Sequence, residues 1–538
     1  ADVFYGTLNL SRSGVEGNPI IIGSYGTGGK PVITGFTTVS MWTNEGDGIY
    51  SAPVKCESPP EMVTINGKQY AMGRWPNSEV WPKQQTWASI DTFNDVSSIT
   101  DSELNSTEIN WTGVELVIRN STRNRISRYN ITNHSGNTLT FSGGNTSYPL
   151  GVGWGYFIQN DKRTLDQFGE WYYDSKTSVF YMYFGSETPD YQLINVTTLN
   201  YLISFNSGTT NCNINNIAFY GANNTAINGM GYNHNNIIDN CDINSCGYSG
   251  IYFWGSQNLM VKNCLIDFCN DNAICITDKC ENTYIGNNEL SNIGLFPGLG
   301  QGLWASGKGL YLRGNNNAIV EYNKIINSGF SGIHFSGNNV IVRYNFIDNF
   351  NVIKEDGGGI QYGGASTYSN LKILNNLVIN GLGSSGGKPS LSFSWTAGIY
   401  LDYYTIGGVE ISSNTVANVS NMGGILISGS QNVILKNNTT FNCSPGIRMQ
   451  ELGELGSPPR NITMNSNILF AALPSFTLLS LYSTKDDFDL FGSFDYNYYA
   501  RPLDNLKPIL IGVSGNVTLR SLTELQTKYY HEDRKSVV

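Results

Sequence analysis

Short segments of alternating apolar and polar residues recur along the chain at an interval of about 23 residues. Cys241 and Cys264 are 23 residues apart, and Cys246 and Cys269 repeat the same interval. Each interval contains three such segments, and this alternation is typical of β-strands with one buried face. Because a unit of this length cannot bury its own apolar face, successive units must stack on one another.

Two positions recur in register in most of these units. The first is an asparagine, or a cysteine in its place, at Cys241, Cys264, Asn288, Asn323, Asn345, Asn376, Asn414, Asn438 and Asn467. The second is a glycine followed by Ile or Leu, at Gly250, Gly309, Gly332, Gly359, Gly398, Gly424 and Gly446. Stacking places equivalent residues side by side, so we expect the asparagines to form a ladder of amide hydrogen bonds inside one turn.

The repeats predict an all-β fold, a right-handed parallel β-helix. Strands stacked in sequence order are parallel, and the right hand follows from the general handedness of parallel crossovers. We expect the first coils in residues 1–45, an inserted β-rich subdomain in 46–195, the β-helix core with the site in 196–470, and C-terminal coils with a cap in 471–538. A cap is expected because a bare last coil would expose unpaired strand edges.

Composition excludes several classes of protein. Only 14% of the 538 residues are charged, the net charge is -10, and 40% are hydrophobic. No segment approaches the roughly 18 apolar residues of a membrane span, and no basic block supports nucleic-acid binding. Residues 1–5 begin directly with a strand pattern and lack the features of a signal peptide, so we expect the natural chain to begin upstream.

The cysteines are concentrated in the early coils of the predicted core. Seven of the nine lie between Cys212 and Cys280. Adjacent coils are about 4.8 Å apart, a separation that a disulfide can span. We favour buried free thiols, with disulfides between coils as the alternative. Because the spacings follow the coil period, they do not indicate a metal site.

Three coils carry enlarged loops at the same corner. In regular coils the recurring asparagine or cysteine precedes the glycine by about nine residues. The longer gaps are 21 residues (Asn288 to Gly309), 14 residues (Asn345 to Gly359) and 22 residues (Asn376 to Gly398). Long loops on a regular solenoid are usually functional, although they can also only cover it or bind a partner. We expect a cleft beside residues 281–406, walled by loops at about 291–308, 349–358 and 380–397.

The strands that follow the recurring glycines present a row of side chains on their outer face. Alternation directs their aliphatic residues inward and the intervening residues outward. Aromatic faces stack on sugar rings, and polar groups bind sugar hydroxyls. The candidate substrate-binding residues on and beside this face are Trp254, Lys308, Tyr311, Arg313, His334, Gln361, Tyr400 and Arg448.

Two carboxylates stand out beside the enlarged loops. Asp402 ends the segment that begins at Gly398, and Asp356 precedes three consecutive glycines one coil earlier. Glycosidic cleavage uses such a pair, about 5 Å apart in retaining enzymes and about 6.5–9.5 Å apart in inverting ones. A straight strand would separate the two acids by about 20 Å, so the loop must fold Asp356 back. Otherwise Glu355 or Glu451 must be the partner, and Glu355 is the third catalytic candidate.

Several motifs resemble those of a family of secreted bacterial right-handed parallel β-helix proteins that includes glycoside hydrolases. They are Asp2-Val3-Phe4, Gly17-Asn18-Pro19-Ile20, Tyr25-Gly26-Thr27-Gly28, Arg74-Trp75-Pro76-Asn77, Gly169-Glu170-Trp171-Tyr172-Tyr173-Asp174, Asp356-Gly357-Gly358-Gly359-Ile360 and Gly398-Ile399-Tyr400-Leu401-Asp402. The chain is similar to β-helix fucosidases, xylosidases and fucanases that carry an inserted β domain. The resemblance implies an extracellular or periplasmic protein in which two acidic residues of the central coils carry catalysis, which favours Asp356 and Asp402.

Three functions are compatible with this pattern. The favoured one is hydrolysis of a polysaccharide or oligosaccharide by the carboxylate pair, with no required cofactor. A polysaccharide lyase would instead use Lys308, Arg313 or His334 as the base, with Ca²⁺ as an ion that neutralises a uronate. A non-catalytic glycan-binding solenoid, such as a phage-type spike, is the third. A basic strip of Lys308, Arg313 and Arg448 keeps a sulfated glycan open as the substrate despite the net charge of -10.

Overall fold

Three long sheets dominate the structure and confirm the right-handed parallel β-helix. The computed structural model describes residues 2–530, 533 and 535–538, except 81, 84, 107–108, 364–367, 385, 391–392, 403–406, 452–457 and 505. The long sheets contain 13, 14 and 12 strands and are called sheet 1, sheet 2 and sheet 3 in that order. Within the described residues the single α-helix is Leu522–Lys528.

Each coil contributes a strand to sheet 3, then to sheet 1, then to sheet 2. Sheet 3 contains Ile20–Gly23, Cys212–Asn215, Ile237–Asp239, Met260–Lys262, Tyr284–Gly286, Ile319–Glu321, Ile341–Arg343, Ser369–Leu374, Gly407–Ser412, Gln431–Lys436, Arg460–Asn465 and Gly492–Asp495. Sheet 1 contains Val3–Tyr5, Val32–Thr34, Ala218–Tyr220, Asp242–Cys246, Leu265–Cys269, Glu289–Ile293, Lys324–Ser328, Phe346–Phe350, Leu377–Gly381, Thr415–Val419, Thr439–Phe441, Ile468–Phe470 and Tyr498–Ala500.

Sheet 2 carries the strands that follow the recurring glycines. Its strands are Leu8–Leu10, Tyr201–Phe205, Thr225–Met230, Ile251–Trp254, Ile274–Glu281, Leu310–Asn316, Ile333–Phe335, Gly357–Tyr362, Thr396–Leu401, Asn421–Ser428, Ile447–Gln450, Leu479–Ser483, Ile509–Val513 and Asn516–Arg520. All neighbours pair in parallel except the last two, which are antiparallel. This sheet provides the face on which the candidate site lies.

The interior of the β-helix is filled by stacked aliphatic side chains. In sheet 2, Ile227, Ile251, Ile274, Leu310 and Ile333 pair in register on consecutive coils, and all five are fully buried. Burial of apolar area stabilises the fold by about 25 cal/mol per Å². Because each coil buries its face against its neighbours, this stabilisation is distributed along the whole solenoid.

Asparagine side chains run in a buried ladder along the turn between sheets 3 and 1. Each side-chain amide donates to the amide oxygen of the next coil at 2.9–3.0 Å. The ladder joins Asn288, Asn323, Asn345, Asn376, Asn414, Asn438, Asn467 and Asn497. These bonds satisfy polar groups that would otherwise be buried without partners.

A second, exposed ladder follows another turn and was not part of the expectation. It joins Asn235, Asn258, Asn282, Asn317, Asn339 and Asn370 through bonds of 2.7–3.0 Å. Asparagine also occupies many backbone positions with positive φ, such as Asn287 at 55° and Asn339 at 58°. Asparagine tolerates this left-handed conformation better than most residues, which explains much of its abundance.

The cysteines are unpaired in the structure. All nine are free thiols, and every one except Cys56 is buried. Cys246 and Cys269 occupy paired positions in neighbouring strands of sheet 1. They fill the interior as small apolar side chains do.

Three antiparallel sheets form the inserted subdomain between Phe36 and Thr197. The eight-stranded sheet contains Arg74–Trp75, Ala88–Ser89, Thr92–Asn94, Ser98–Thr100, Glu115–Arg119, Ile126–Ser135, Thr138–Phe141 and Gly155–Gln159. The four-stranded sheets contain Thr43–Gly46, Ile49–Pro53, Trp171–Asp174 and Val179–Tyr183, and Phe36–Thr38, Val63–Ile65, Lys68–Tyr70 and Ile194–Thr197. The 3₁₀ helices of the chain are Ser102–Ser106, Lys162–Thr164, Pro189–Tyr191 and Phe488–Leu490.

The inserted subdomain packs against all three enlarged loops. Phe157 belongs to one apolar cluster with Leu295 and Ile353, which come from the first and second loops. The backbone N–H of Gly155 donates to the carbonyl of Gly387 in the third loop at 3.0 Å. The subdomain therefore fixes the loops that surround the outer face of sheet 2.

The C-terminal end of the solenoid is closed by a hairpin and the short helix. Strand Asn516–Arg520 pairs antiparallel with Ile509–Val513 at the edge of sheet 2. Ser521 and Glu524 form a reciprocal capping box at the start of the helix, and Leu525 is fully buried. These elements cover the edge strand, as a cap must.

Candidate active site

The outer face of sheet 2 carries the row of side chains expected from the alternation. Strand pairing aligns Tyr252, Cys275, Tyr311, His334, Gln361, Tyr400, Leu426 and Arg448 on consecutive coils. Adjacent members are one strand spacing, about 4.8 Å, apart. Trp254 and Arg313 lie two residues further along their strands and belong to a second row.

Asp356 lies immediately before strand Gly357–Tyr362, where the second enlarged loop ends. Its φ of 64° turns the chain at this point, a conformation that Asp tolerates. Its backbone N–H donates to the carbonyl of Trp395 at 2.6 Å. Asn124 of the inserted subdomain donates to Oδ2 of Asp356 at 3.2 Å. The carboxyl group is therefore held from two distant parts of the chain.

The environment of Asp356 favours its protonated form. Its pKa is raised to about 7, chiefly because burial disfavours the charged carboxylate, and the charge of Asp402 raises it further. The hydrogen bond from Asn124 and the charge of Arg123 act in the opposite direction. The loop therefore brings the carboxyl groups of Asp356 and Asp402 within electrostatic reach of each other, which a straight strand would not do.

Asp402 follows strand Thr396–Leu401 and is half-buried. Its Oδ1 accepts a hydrogen bond from the hydroxyl of Tyr400 at 3.1 Å. A Cβ built at Gly363 would lie 3.2 Å from Cε1 of His334 and 4.0 Å from Oδ2 of Asp402. His334 and Asp402 therefore flank the same glycine, and a side chain there would crowd His334 and contact Asp402.

Glu355 is fully buried among three cationic side chains. Its carboxylate lies 3.0 Å from Arg123, 2.5 Å from Lys388 and 3.9 Å from Arg119. The two arginines come from the inserted subdomain, and Lys388 comes from the third enlarged loop. This arrangement favours a role in holding the loops together, and a catalytic role for Glu355 stays a prediction.

Lys308 and His334 lie in a closed aromatic cluster. Lys308 is fully buried, its Nζ has no hydrogen-bond partner among the described residues, and it lies 4.3 Å and 4.2 Å from the ring centroids of Trp304 and Tyr311. The ring of His334 contacts the same two aromatic rings, at 5.9 Å and 5.3 Å. Burial is the main cause that holds the pKa of Lys308 and that of His334 well below their ordinary values, so His334 is neutral at pH 7.

The remaining candidates differ in how they are paired. Arg313 forms an ion pair with Asp278 at 3.1 Å, while Gln361 is buried and accepts a hydrogen bond from Ser331 at 2.7 Å. Trp254 is half-buried against Tyr232, with ring centroids 5.9 Å apart. The guanidinium of Arg448 lies 4.5 Å from the ring centroid of Tyr482.

Two grooves lie along sheet 2, one on each side of the carboxyl groups. The first has a volume of about 380 Å³ and is lined by residues that include Tyr252, Tyr311 and Arg313. The second has a volume of about 510 Å³ and is lined by residues that include Trp395 and Arg448. Together they extend the candidate site along the solenoid axis over several coils.

Sequence reasoning missed several residues that line this site. Asn124 and Arg123 come from the inserted subdomain, where no repeat indicates their position. Trp395 lies in the third enlarged loop, and Arg123 stacks over its ring at 4.7 Å. An aromatic residue in a long loop beside the predicted cleft was a signal for Trp395, whereas nothing in the local sequence indicates Asn124.

The comparisons with known proteins agree with this architecture. Residues 195–308 and 302–449 match the family described as right handed beta helix region. This part of the chain is a right-handed parallel β-helix. A solved structure described as a glycoside hydrolase is 14% identical, with 83% of this chain and 86% of that chain covered and a TM-score of 0.58. At 14% identity, this similarity shows that the two chains share the β-helix fold and nothing further.

Two further solved structures extend the comparison. The complex of XylC with xylose is 11% identical, with 95% of this chain and 79% of that chain covered and a TM-score of 0.49. A tailspike protein of E. coli bacteriophage HK620, in complex with a pentasaccharide, is 12% identical, with 57% of each chain covered and a TM-score of 0.38. A comparison of this β-helix chain with curated proteins found no match.

The described residues lack the features of a metal site and of a membrane-spanning helix. These residues contain no group of three or more His, Cys, Asp or Glu side chains that could hold a metal ion. The Ca²⁺ of the lyase alternative therefore stays a prediction. None of the described helices has the length and apolar character needed to cross a membrane.

Proposed function

We propose that this β-helix protein hydrolyses glycosidic bonds of a polysaccharide or oligosaccharide. The observation that carries the proposal is the pair of Asp356 and Asp402, with the pKa of Asp356 raised to about 7 by burial and by its partner. Paired carboxyl groups with separated pKa values are typical of glycosidases, in which one acts as acid and the other as base or nucleophile. The two flanking grooves offer room for sugars on both sides of the cleaved bond.

The environments of the two acids indicate their roles. Asp356 would protonate the leaving oxygen, because its raised pKa keeps a proton available near neutral pH. Asp402 would act as the base or nucleophile, with the hydroxyl of Tyr400 at 3.1 Å to orient it. Tyr252 and Tyr311, which line the first groove, would contribute aromatic contacts to sugar rings. As part of the same proposal, the protein acts outside the cytoplasm, where polysaccharides are available.

A polysaccharide lyase is the second candidate, and His334 is the observation that favours it. His334 is neutral at pH 7 and lies beside Asp402, so it could accept a proton from a uronate. Lys308 is a weaker base candidate because it is fully buried among aromatic rings. Arg313 is weaker because Asp278 already neutralises it.

Product analysis on a panel of neutral, uronate and sulfated glycans tests the proposal. Wild type, Asp356→Asn and Asp402→Asn are compared for reducing ends and for the ultraviolet absorbance of unsaturated uronates. We expect reducing ends without absorbance, reduced about 10²–10⁴-fold or more in both variants. Asp190→Asn, at an exposed position of the inserted subdomain, serves as the control.

The other outcomes are equally informative. Absorbance by the wild type, lost in His334→Gln, would replace the hydrolase with the lyase. Full activity in both aspartate variants would disprove the assignment of the acid pair. Glycan binding without any product would favour the non-catalytic solenoid.

A further inference from the structure

The groove beyond the acid pair contains an arginine that no described carboxylate neutralises. The Nε atom of Arg448 is buried and has no hydrogen-bond partner in the described part of the chain. Its guanidinium packs over the ring of Tyr482 at 4.5 Å. The titratable groups that influence it are the hydroxyls of Tyr482 and Tyr400. Arginine remains charged in proteins, and none of the carboxylates that the structure describes compensates this charge.

Three other cations of the solenoid are paired or enclosed. Arg313 binds Asp278 at 3.1 Å, and Arg460, near the last coils, binds Asp487 at 2.5 Å. Lys308 is fully buried among aromatic rings. Because a buried donor without a partner is costly, the Nε of Arg448, which has none among the described residues, suggests that a ligand supplies an acceptor.

Aromatic side chains form the other wall of the same groove. Phe393 and Trp395 line it together with Arg448 and Tyr482, and their side chains are 73% and 45% exposed. Exposed aromatic faces are suited to stacking on sugar rings. A guanidinium that faces aromatic rings across about 510 Å³ fits a sugar that carries a negative charge.

The position of this groove connects it to the acid pair. Arg448 pairs with Leu426, and Leu426 pairs with Tyr400. Arg448 is therefore two strands, or about 10 Å, from Tyr400. Trp395, on the opposite wall, accepts the backbone hydrogen bond of Asp356. A sugar bound here would lie next to the one at the carboxyl groups.

We propose that the Arg448 groove binds an anionic sugar residue of the substrate, in which a carboxylate or sulfate ester accepts hydrogen bonds from the guanidinium and the ring stacks on Trp395. This inference rests on the proposed function in one respect only: the bound sugar is taken to be part of the substrate. It names the substrate class as an anionic glycan. Arginine suits both groups because its planar fork matches the oxygens of carboxylate and sulfate.

Calorimetric binding to the full chain with Asp402→Asn tests this inference without cleavage. The probes are tetragalacturonate, an alginate tetrasaccharide and a sulfated fucan tetrasaccharide, each beside its carboxyl-reduced or desulfated counterpart. We expect at least one anionic probe to bind more tightly than its neutral counterpart, with affinity that falls as salt rises. The uronate and sulfate arms distinguish the two sources of charge.

Single substitutions distinguish the contribution of the Arg448 charge to binding from that of the aromatic ring of Trp395. Arg448→Gln should weaken binding of the anionic probe about 10- to 100-fold, as expected for the loss of charged hydrogen bonds, and leave the neutral counterpart unchanged. Trp395→Ala should weaken both. Arg343→Gln, which removes an arginine that is ion-paired with Glu321 on sheet 3, should change neither.

The results overturn or support the inference independently of hydrolysis. Equal binding of charged and neutral probes, unchanged binding in Arg448→Gln, or no binding of any anionic probe would overturn it. Selective binding through Arg448 in a protein that releases no reducing ends would support it while the hydrolase proposal fails. Hydrolysis of neutral glycans with no effect of Arg448→Gln would overturn this inference and support the hydrolase proposal.

Discussion

The side-chain amide of Asn124 donates a hydrogen bond to Oδ2 of Asp356 at 3.2 Å, across 232 residues of sequence. Asn124 belongs to the inserted subdomain, and Asp356 belongs to the β-helix. This bond favours the charged carboxylate, but burial and Asp402 outweigh it, so the pKa of Asp356 stays near 7. In the proposed enzyme, the inserted subdomain is therefore part of the site.

The proposed acid predicts a decline of activity at alkaline pH. Asp356 must be protonated to donate, so kcat/KM should fall as pH rises through about 7, where the pKa lies. A pH–rate profile on the hydrolysed glycan measures this limb. A profile that is flat from about pH 5 to about pH 9 would exclude Asp356 as the acid.

Removal of the Asn124 amide should move that limb. Asn124→Ala takes away a bond that stabilises the carboxylate, so we expect the pKa of Asp356 to rise and the limb to shift upward by up to about one pH unit. A merely structural role of Asn124 would lower activity at every pH without shifting the limb. Asn94→Ala, at an exposed position of the same subdomain, is the control.

The raised pKa also predicts a stability effect. In the unfolded chain an Asp titrates near about 3.9, so between there and about 7 the folded protein binds more protons. Stability therefore falls as pH rises through this window. Asp356→Asn, which is neutral, should be more stable than the wild type at pH 8 by more than about 1 kcal/mol. Denaturant unfolding at pH 4 and pH 8 measures the difference, and equal stability at pH 8 would contradict it.

Glu355 should matter more for stability than for chemistry. Its removal leaves Arg119, Arg123 and Lys388 without their shared carboxylate. Breaking such a buried pair costs about 3–5 kcal/mol, so Glu355→Gln should lower the free energy of unfolding by that order in a urea titration. Glu16→Gln, at an exposed position, is the control. A Glu355→Gln variant with wild-type stability and no activity would instead make Glu355 a catalytic residue.

The buried and exposed asparagine ladders should differ in energetic weight. Asn345→Ala removes an oxygen that accepts from both the side-chain amide and the backbone N–H of Asn323, at 2.9 Å and 3.0 Å, and should cost about 1–3 kcal/mol. Asn339→Gly interrupts the exposed ladder, where water replaces the lost partner, with a residue that tolerates the φ of 58° at this position, and should cost less than about 0.5 kcal/mol. Denaturant unfolding of both variants makes the comparison, and equal losses would contradict it.

The repeating features were predictable because they are local. Alternation with a period of two assigns the buried and outer sides of each strand, and the coil interval assigns the neighbours. The row from Tyr252 to Arg448 followed from these two rules, and strand pairing bears out its alignment. The right-handed β-helix followed from the same repeats and is confirmed. The interval also located the three enlarged loops.

The chemistry of the candidate site depends on contacts between distant segments. Asn124 lies far from Asp356 in the sequence and has no repeat to mark it, and the pKa of Asp356 depends on burial by loops of irregular structure. The environments of the cations were equally unpredictable, because in the sequence Lys308 and Arg448 are both simply basic residues on or beside the strands of sheet 2. Only the tertiary structure encloses Lys308 in aromatic rings and leaves the Nε of Arg448 without a partner among the described residues, because burial and pairing depend on which segments the fold brings together.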